Sequence, residues 1–285
     1  MCAKPTIDAV PTFTLDGQRL AYTVHGTGPR VTVLLHGLLF SQRMHSQLAE
    51  ALAGRGNRVV TLDLLGHGAS DRPLELWRYS MPEFAREVVA LLDHLGVPEA
   101  VVLGTSLGAN VTLEVAAAAP ERLRGMVVEM PVLDNALLGC AIAFTPLMAA
   151  LTVGQPAMRA LSRAARVIPG RRLPWQADVL LDWIRQDPAP SAAVLQGLFF
   201  GRTAPPRALR REMRTPALVI GHQHDLVHPF SDAGELAAEL PEARLLQAGS
   251  LLELRIAPAR LTREIAAFAD DCWKPRRARR RAKAS

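Results

Sequence analysis

Short apolar runs alternate along the chain with longer stretches of helical periodicity. Residues 19–24 and 31–35 read as strands, 42–54 as a helix and 58–63 as a strand. In residues 82–96, Phe84, Val88, Leu91, Leu92 and Leu95 recur at the spacing of one helix face. Residues 100–104 then read as a strand, 107–119 as a helix stopped by Pro120, and 124–131 as a strand. Further on, 217–221 and 243–247 read as strands, 231–240 as a helix, and 258–271 as a last helix with proline at its start. Strands that alternate with helices in this way predict an α/β fold, a mostly parallel central sheet flanked by helices on both faces.

The rhythm breaks once. About eighty residues between Asp134 and Arg214 carry no strand signal and are rich in Ala, Leu, Pro and Arg. A structureless loop of that length is uncommon in a compact domain, so an inserted helical cap is expected there. The expected organisation is a core over 1–133 and 214–271, a cap over 134–213, and a basic tail over 272–285. Within the cap, residues 135–158 hold no charge. Gly139, Pro146 and Gly154 interrupt this run, which predicts a lid or buried helix pair and no stable membrane span.

Composition narrows the class. Of 285 residues, 49% are apolar and 21% charged, which is globular usage, and aromatics are sparse at 5%. The net charge of +6 is misleading, because residues 274–285 contain seven Lys or Arg and no acid. The rest of the chain, +6 less those seven cations, is at −1. A basic face for nucleic acid on the folded part is therefore not expected, and the tail reads as a solvated, disordered end. Cys2, Cys140 and Cys272 are odd in number and widely spaced. They form no disulfide framework or metal pair, and no basic segment leads into an apolar run at the N-terminus, so a cytoplasmic setting is expected.

One short string carries chemistry. Gly104-Thr105-Ser106-Leu107-Gly108 has the form Gly-x-Ser-x-Gly, directly after the apolar run Val101-Val102-Leu103 and at the opening of a helix. A serine on such a turn is held in a strained backbone conformation with its hydroxyl raised above the sheet. The flanking glycines remove side chains where strand and helix approach, and the helix N-terminus offers unpaired N–H groups to a developing oxyanion. The plainer alternative is an ordinary Gly-rich strand-to-helix turn.

With these motifs the chain resembles the α/β-hydrolase fold family. His36-Gly37 after a strand is similar to the family's oxyanion loop. Asp63-Leu64-Leu65-Gly66-His67-Gly68-Ala69-Ser70 resembles its Asp-x-x-Gly-His-Gly-x-Ser signature, and Asp225 follows the first strand after the cap, where the family places an acid. The resemblance implies Ser106 as nucleophile, the backbone N–H groups of Leu38 and Leu107 as the oxyanion hole, and Asp225 as the residue orienting the base. It supplies His36, Gly37, Gly104 and Gly108 as supporting motif residues. The aspartate nucleophiles of the dehalogenase and epoxide hydrolase branches are excluded by serine at 106. It implies no cofactor and no metal.

The chain departs from that pattern at the base. The family places its histidine just after the last strand, and here Ser250 stands in that position, with no histidine after His228. A serine nucleophile needs an adjacent base. His25 reads as a surface turn residue, His45 and His94 as helix residues, and His36 and His67 as histidines that fix loop backbone. His222 and His224 read as loop packing or an incomplete metal pair. His228, three residues after Asp225, is the best-placed base; its alternative is a structural residue at a helix start before Pro229. Asp134 is expected to cap the first cap helix, with a catalytic acid as the alternative, and Glu253 to be a surface charge or a partner near Ser250.

The resulting expectation is a serine hydrolase cleaving a carboxylic ester or thioester of a hydrophobic substrate through an acyl-enzyme. Leu137, Leu138, Ile142, Phe144, Leu147, Met148, Leu151 and Val153 of the lid, with Phe199-Phe200, suggest a pocket for an acyl chain or ring; packing of cap on core explains them equally. Arg159, Arg163, Arg166, Arg171 and Arg172 fit either a carrier-bound thioester or a solvated cap face. The competing expectation is a non-hydrolytic member of the fold, a lyase or cyclase or a small-molecule binder, that has lost the usual histidine. A third is a protein whose partner contacts dominate, anchored by the basic tail. The sequence carries no signal for oligomeric state.

Overall fold

The computed structural model describes residues 10–169, 173–223, 225, 227–250 and 252–275. The basic tail from Arg276 onward, Arg171, Arg172, His224 and Cys2 lie outside them.

Eight strands form one sheet in the order β1-β2-β4-β3-β5-β6-β7-β8. They are β1 (Thr12–Leu15), β2 (Gln18–His25), β3 (Val31–Leu35), β4 (Arg58–Leu62), β5 (Ala100–Thr105), β6 (Leu123–Glu129), β7 (Ala217–His222) and β8 (Ala243–Ala248). The first two pairings are antiparallel and the remaining five, from β4 to β8, are parallel. The parallel strands β3 to β7 are buried on both faces, as their apolar runs require, whereas the edge strand β8 is largely exposed. Along β3, Val33 and Leu35 point into one core and Leu34 into the other. Along β5, Val102 and Leu103 divide in the same way. One core is closed by α2 (Met81–His94), α3 (Leu107–Ala118) and α9 (Phe230–Glu239), the other by α1 (Ser46–Ala53) and α11 (Ala259–Cys272). The short helix α10 (Glu253–Ile256) leads from β8 towards α11.

Two local features differ from the sequence expectation. Strand β1 carries only four residues, too few for the alternation to predict it, yet Asp16-Gly17 is a two-residue hairpin turn with φ of 49° and 78°. That geometry is the type I′ turn that Asp-Gly favours between alternating apolar positions such as Phe13, Leu15 and Leu20. The second is at the entry to the helical segment. Asp134 does not cap it; the buried Asp232 of α9 does, accepting from the amides of Leu133 at 2.6 Å, Asn135 at 3.1 Å and Ala136 at 3.1 Å. A carboxylate about a hundred residues away in sequence takes the role that local spacing suggested for its neighbour.

Between β6 and β7 the elements are helical: α4 (Leu137–Thr152), α5 (Gln155–Val167), α6 (Trp175–Ile184), α7 (Pro188–Phe200) and α8 (Arg207–Glu212). Phe144, Leu147, Met148 and Leu151 of α4 pack with Leu195 of α7 and with Leu38 and Leu39 of the loop after β3. The opposite side of α4 is uncovered, and only 11% of its apolar window is buried. Of the two alternatives expected for this run, a lid or a buried helix pair, full burial does not hold, because only one side of α4 finds apolar partners.

Truncating the fully buried Leu103 to Ala should lower unfolding free energy in urea by about 3 kcal/mol, whereas Leu245→Ala on the half-open edge strand β8 should cost about 1 kcal/mol or less.

Candidate active site

The site is built on the turn between β5 and α3. Ser106 holds φ 54° and ψ −110°, in the left-handed half of backbone space, with its N–H donated to the Glu129 carbonyl at 2.9 Å. Only glycine fits on either side of it. A Cβ on Gly104 would stand 1.9 Å from the Gly108 carbonyl oxygen, and one on Gly108 would stand 2.4 Å from that of Leu35. Gly108 N–H donates to the His36 carbonyl at 3.1 Å, which locks the elbow to the end of β3.

The loop after β3 lies beside the elbow. A Cβ on Gly37 would be 3.9 Å from Ser106 Cβ, so the Gly37-Leu38 backbone borders the serine directly. Phe40 N–H closes a turn onto the Gly37 carbonyl at 3.1 Å, and Leu39 is left-handed at φ 61°. Leu107 is the first residue of α3, in the turn whose N–H groups have no intrahelical partner. Gly37 and the amide of Leu107 thus both border Ser106.

Asp225 and His228 leave β7 on the same loop, opposite. Asp225 Oδ1 accepts from the amides of Val227 at 2.9 Å and His228 at 3.0 Å. Its Oδ2 accepts from His228 Nδ1 at 2.8 Å, and His228 Nε2 lies 2.8 Å from Ser106 Oγ. The three residues singled out in the sequence are joined in one hydrogen-bonded row. Burial opposes the charge on Asp225, but the His228 imidazole and the two amides outweigh it and hold the carboxyl below its usual range.

His36, His45, His67 and His94 have other partners. His36 is buried, with Nδ1 against the Gly37 carbonyl at 2.8 Å and Nε2 accepting from Leu64 N–H at 3.1 Å. His67 is buried beside it, with Nδ1 against the Leu65 carbonyl at 2.9 Å. Burial lowers the pKa of both, so both are neutral rings that fasten loops. His45 is likewise buried against the Leu35 carbonyl, its pKa driven down to about 3 by burial, and His94 meets the Tyr22 hydroxyl at 3.2 Å. The Asp63–Ser70 segment is a staple of the same kind. Asp63 accepts from Gln42 N–H, Gln42 Nε2 and Ala69 N–H, and a Cβ on Gly68 would strike its carboxylate at 2.1 Å.

One buried cluster had no signature in the sequence reading. Glu129, at the end of β6, faces Thr105, Arg255 and His222. Thr105 Oγ1 donates to its Oε2 at 2.5 Å, Arg255 donates at 2.9 Å, and His222 Nε2 lies at ion-pair distance, 3.4 Å. His222 Nδ1 donates to the Ser250 carbonyl at 2.8 Å. Burial alone would raise the Glu129 pKa; Arg255, His222 and Thr105 reverse this and hold it far below the usual range. His222 is the mirror case, with burial overcome by Glu129 so that its pKa is raised. The only sequence clue was an acid closing the apolar run Val127-Val128. Ser250 is itself exposed, and Glu253 pairs with Arg260 and accepts from Gly249 N–H.

The apolar residues expected to line a pocket divide between two sides. Phe144, Leu147, Met148 and Leu151 face inward, whereas Leu137, Leu138, Ile142, Val153, Phe199 and Phe200 are exposed. A cleft of about 570 Å³ lies elsewhere, between β2, α6 and the Asp63 loop, with the polar side chains Gln42, Arg43, Arg72 and Arg185 among its walls. Arg72 reaches across it from the Gly66 and Gly68 carbonyls to Gln186, fastening core to helical segment.

A sequence model of the alpha/beta hydrolase fold matches residues 31–249, more than half of the chain. The chain belongs to the alpha/beta hydrolase fold family. It is 36% identical over 110 residues to bifunctional epoxide hydrolase 2 of Mus musculus, a stretch covering 39% of this chain and 20% of that protein. It is 32% identical over 117 residues to a putative 2-succinyl-6-hydroxy-2,4-cyclohexadiene-1-carboxylate synthase of Bacillus subtilis, covering 40% of this chain and 41% of that one. The matches to these curated relatives thus span well under half of each relative's length. Among solved structures, the enol-lactonase from Burkholderia xenovorans superimposes with a TM-score of 0.74 at 20% identity, covering 91% of this chain and all of the other. That likeness is one of fold.

Folding raises the His222 pKa, so protonation of this ring favours the folded chain. The contribution is complete below the ordinary value of 6.5 and is lost as pH rises through the folded value. Stability measured from pH 6 to 9 should therefore fall more steeply for the wild type than for His222→Gln; parallel curves would remove the Glu129 pairing from the account.

Proposed function

We propose that this chain is a serine hydrolase that cleaves a carboxylic ester or thioester of a hydrophobic substrate through an acyl-enzyme on Ser106. The single observation that carries the reading is the row Ser106 Oγ, His228 Nε2, His228 Nδ1, Asp225 Oδ2, with 2.8 Å at each hydrogen bond. His228 takes the Ser106 proton as Oγ forms a bond to the substrate carbonyl carbon. The carbonyl oxygen becomes an oxyanion held by the N–H groups of Leu38 and Leu107. His228 then gives the proton to the departing alkoxide or thiolate as its bond to the acyl carbon breaks. Water, deprotonated by His228, attacks the acyl-enzyme and releases the acid and Ser106. Asp225 keeps the proton on Nδ1, so that Nε2 is the free lone pair, and it stabilises the imidazolium. No cofactor enters any step.

Acid and base on one loop make Ser250 unnecessary to proton transfer. The inward face of α4, through Phe144, Leu147 and Met148, stands next to Leu38 and supports a preference for an apolar acyl group or ring. The exposed arginines of α5 are compatible with a carrier-bound thioester. A second reading, a non-hydrolytic lyase or cyclase using the same row, is favoured by the similarity to the Bacillus subtilis protein, which is named as a putative synthase and not as a hydrolase.

A fluorophosphonate probe read by intact mass should add one label to the wild type and none to Ser106→Ala. His228→Ala and Asp225→Asn should each lower ester turnover by about 10⁴-fold, because the first removes the base and the second favours the wrong tautomer. Ester hydrolysis that survives Ser106→Ala would sink the acyl-enzyme. Probe labelling with no hydrolysis across ester and thioester panels would favour the second reading.

A further inference from the structure

Helix α4 is apolar on every side but covered on one. A helix of that composition in a water-soluble fold is normally enclosed by protein all round. Here the inner side packs against Leu39 and Leu195, while Leu138 is 73% exposed, Ile142 68% and, at the turn into α5, Val153 87%. Ala141, Ala143, Pro146 and Ala149 fill the gaps between them on the open side. The result is a continuous uncharged strip on the helix, of the kind that marks an interaction surface.

The charges around the strip say what covers it. From residue 135 to residue 177 the chain has no acid and five arginines. Arg159 and Arg163, one turn apart in the second and third turns of α5, which follows α4 directly, are exposed. An apolar strip with one exposed acid at its entry, Asp134, and arginines along the helix that follows it matches the boundary of a bilayer with anionic headgroups, where apolar side chains enter the acyl region and arginines meet phosphates. A second copy of the chain fits poorly. A two-fold contact sets like surfaces against each other, and these arginines would face their own counterparts with no carboxylate in the segment to pair with.

We propose that the outer face of α4, with Arg159 and Arg163 beside it, docks this protein onto the surface of a phospholipid bilayer that carries anionic lipid. The helix lies in the interface and does not cross it. Its inner residues are committed to Leu39 and Leu195, and a spanning position would strip them from the protein. Docked in this way, α4 lies between the lipid and the loop that carries Leu38 and Leu39. The proposal concerns binding and stands independently of the reaction at Ser106.

The test is flotation of the full-length chain with vesicles of phosphatidylcholine alone and of phosphatidylcholine mixed with phosphatidylglycerol. The wild type should float with the mixed vesicles and much less with the neutral ones. The double variant Leu138→Glu, Ile142→Glu should bind the mixed vesicles about tenfold more weakly or worse, and so should Arg159→Glu, Arg163→Glu. All four positions are exposed, so the thermal unfolding midpoint should stay at the wild-type value, and the second variant serves if the first fails to fold. Three outcomes overturn the proposal: no flotation of the wild type; undiminished flotation of both variants, which would assign binding to the arginines of the C-terminal segment; and a wild-type dimer in light scattering that the apolar variant dissolves while vesicle binding is absent.

Discussion

The backbone of Ser106 is the constraint on which the site depends. A serine at φ 54° is strained, and it persists because its surroundings fix it from three directions. Its own N–H is tied to β6 at Glu129, and two residues on, Gly108 N–H is tied to the end of β3 at His36. The third support is the Gly104–Gly108 contact, so close that any side chain at either position would separate strand from helix. Lose any of these and the hydroxyl drops from the sheet edge towards the helix. The buried histidines 36 and 67 serve the same end, since each secures the loops on which Leu38 and the Asp63 segment are carried.

Much of this was legible in the chain itself. Parallel strands covered on both faces must be apolar at consecutive positions, so β3, β5 and β7 announced themselves, and the helices between them followed from their periodicity. The elbow was legible because only two glycines around a serine satisfy its sterics. Asp225 and His228 were accessible for a simpler reason: three residues separate them, and a short loop keeps neighbours together.

What was not legible is whatever long-range geometry assembles. Thr105, Glu129, His222 and Arg255 have no common spacing; the first three meet through the adjacency of β5, β6 and β7, and Arg255 reaches them from α10. The pairing of Glu129 with Arg255 carries structural weight because an unpartnered carboxylate at that depth would lose its charge. The exposure of α4 was equally hidden, since an apolar run has the same sequence whether protein covers both of its sides or only one. The four-residue strand β1 fell below the length at which alternation can be recognised.

The Asp232 clamp gives the helical segment and the His228 loop a shared mechanical footing. Asp232 stands four residues beyond His228 and holds the amides of Leu133, Asn135 and Ala136, through which the chain enters α4. The place where α4 is hinged to the sheet is therefore also the foundation of the histidine's loop. A torque applied to the far end of α4 is delivered by that lever to a fulcrum about one helical turn from His228.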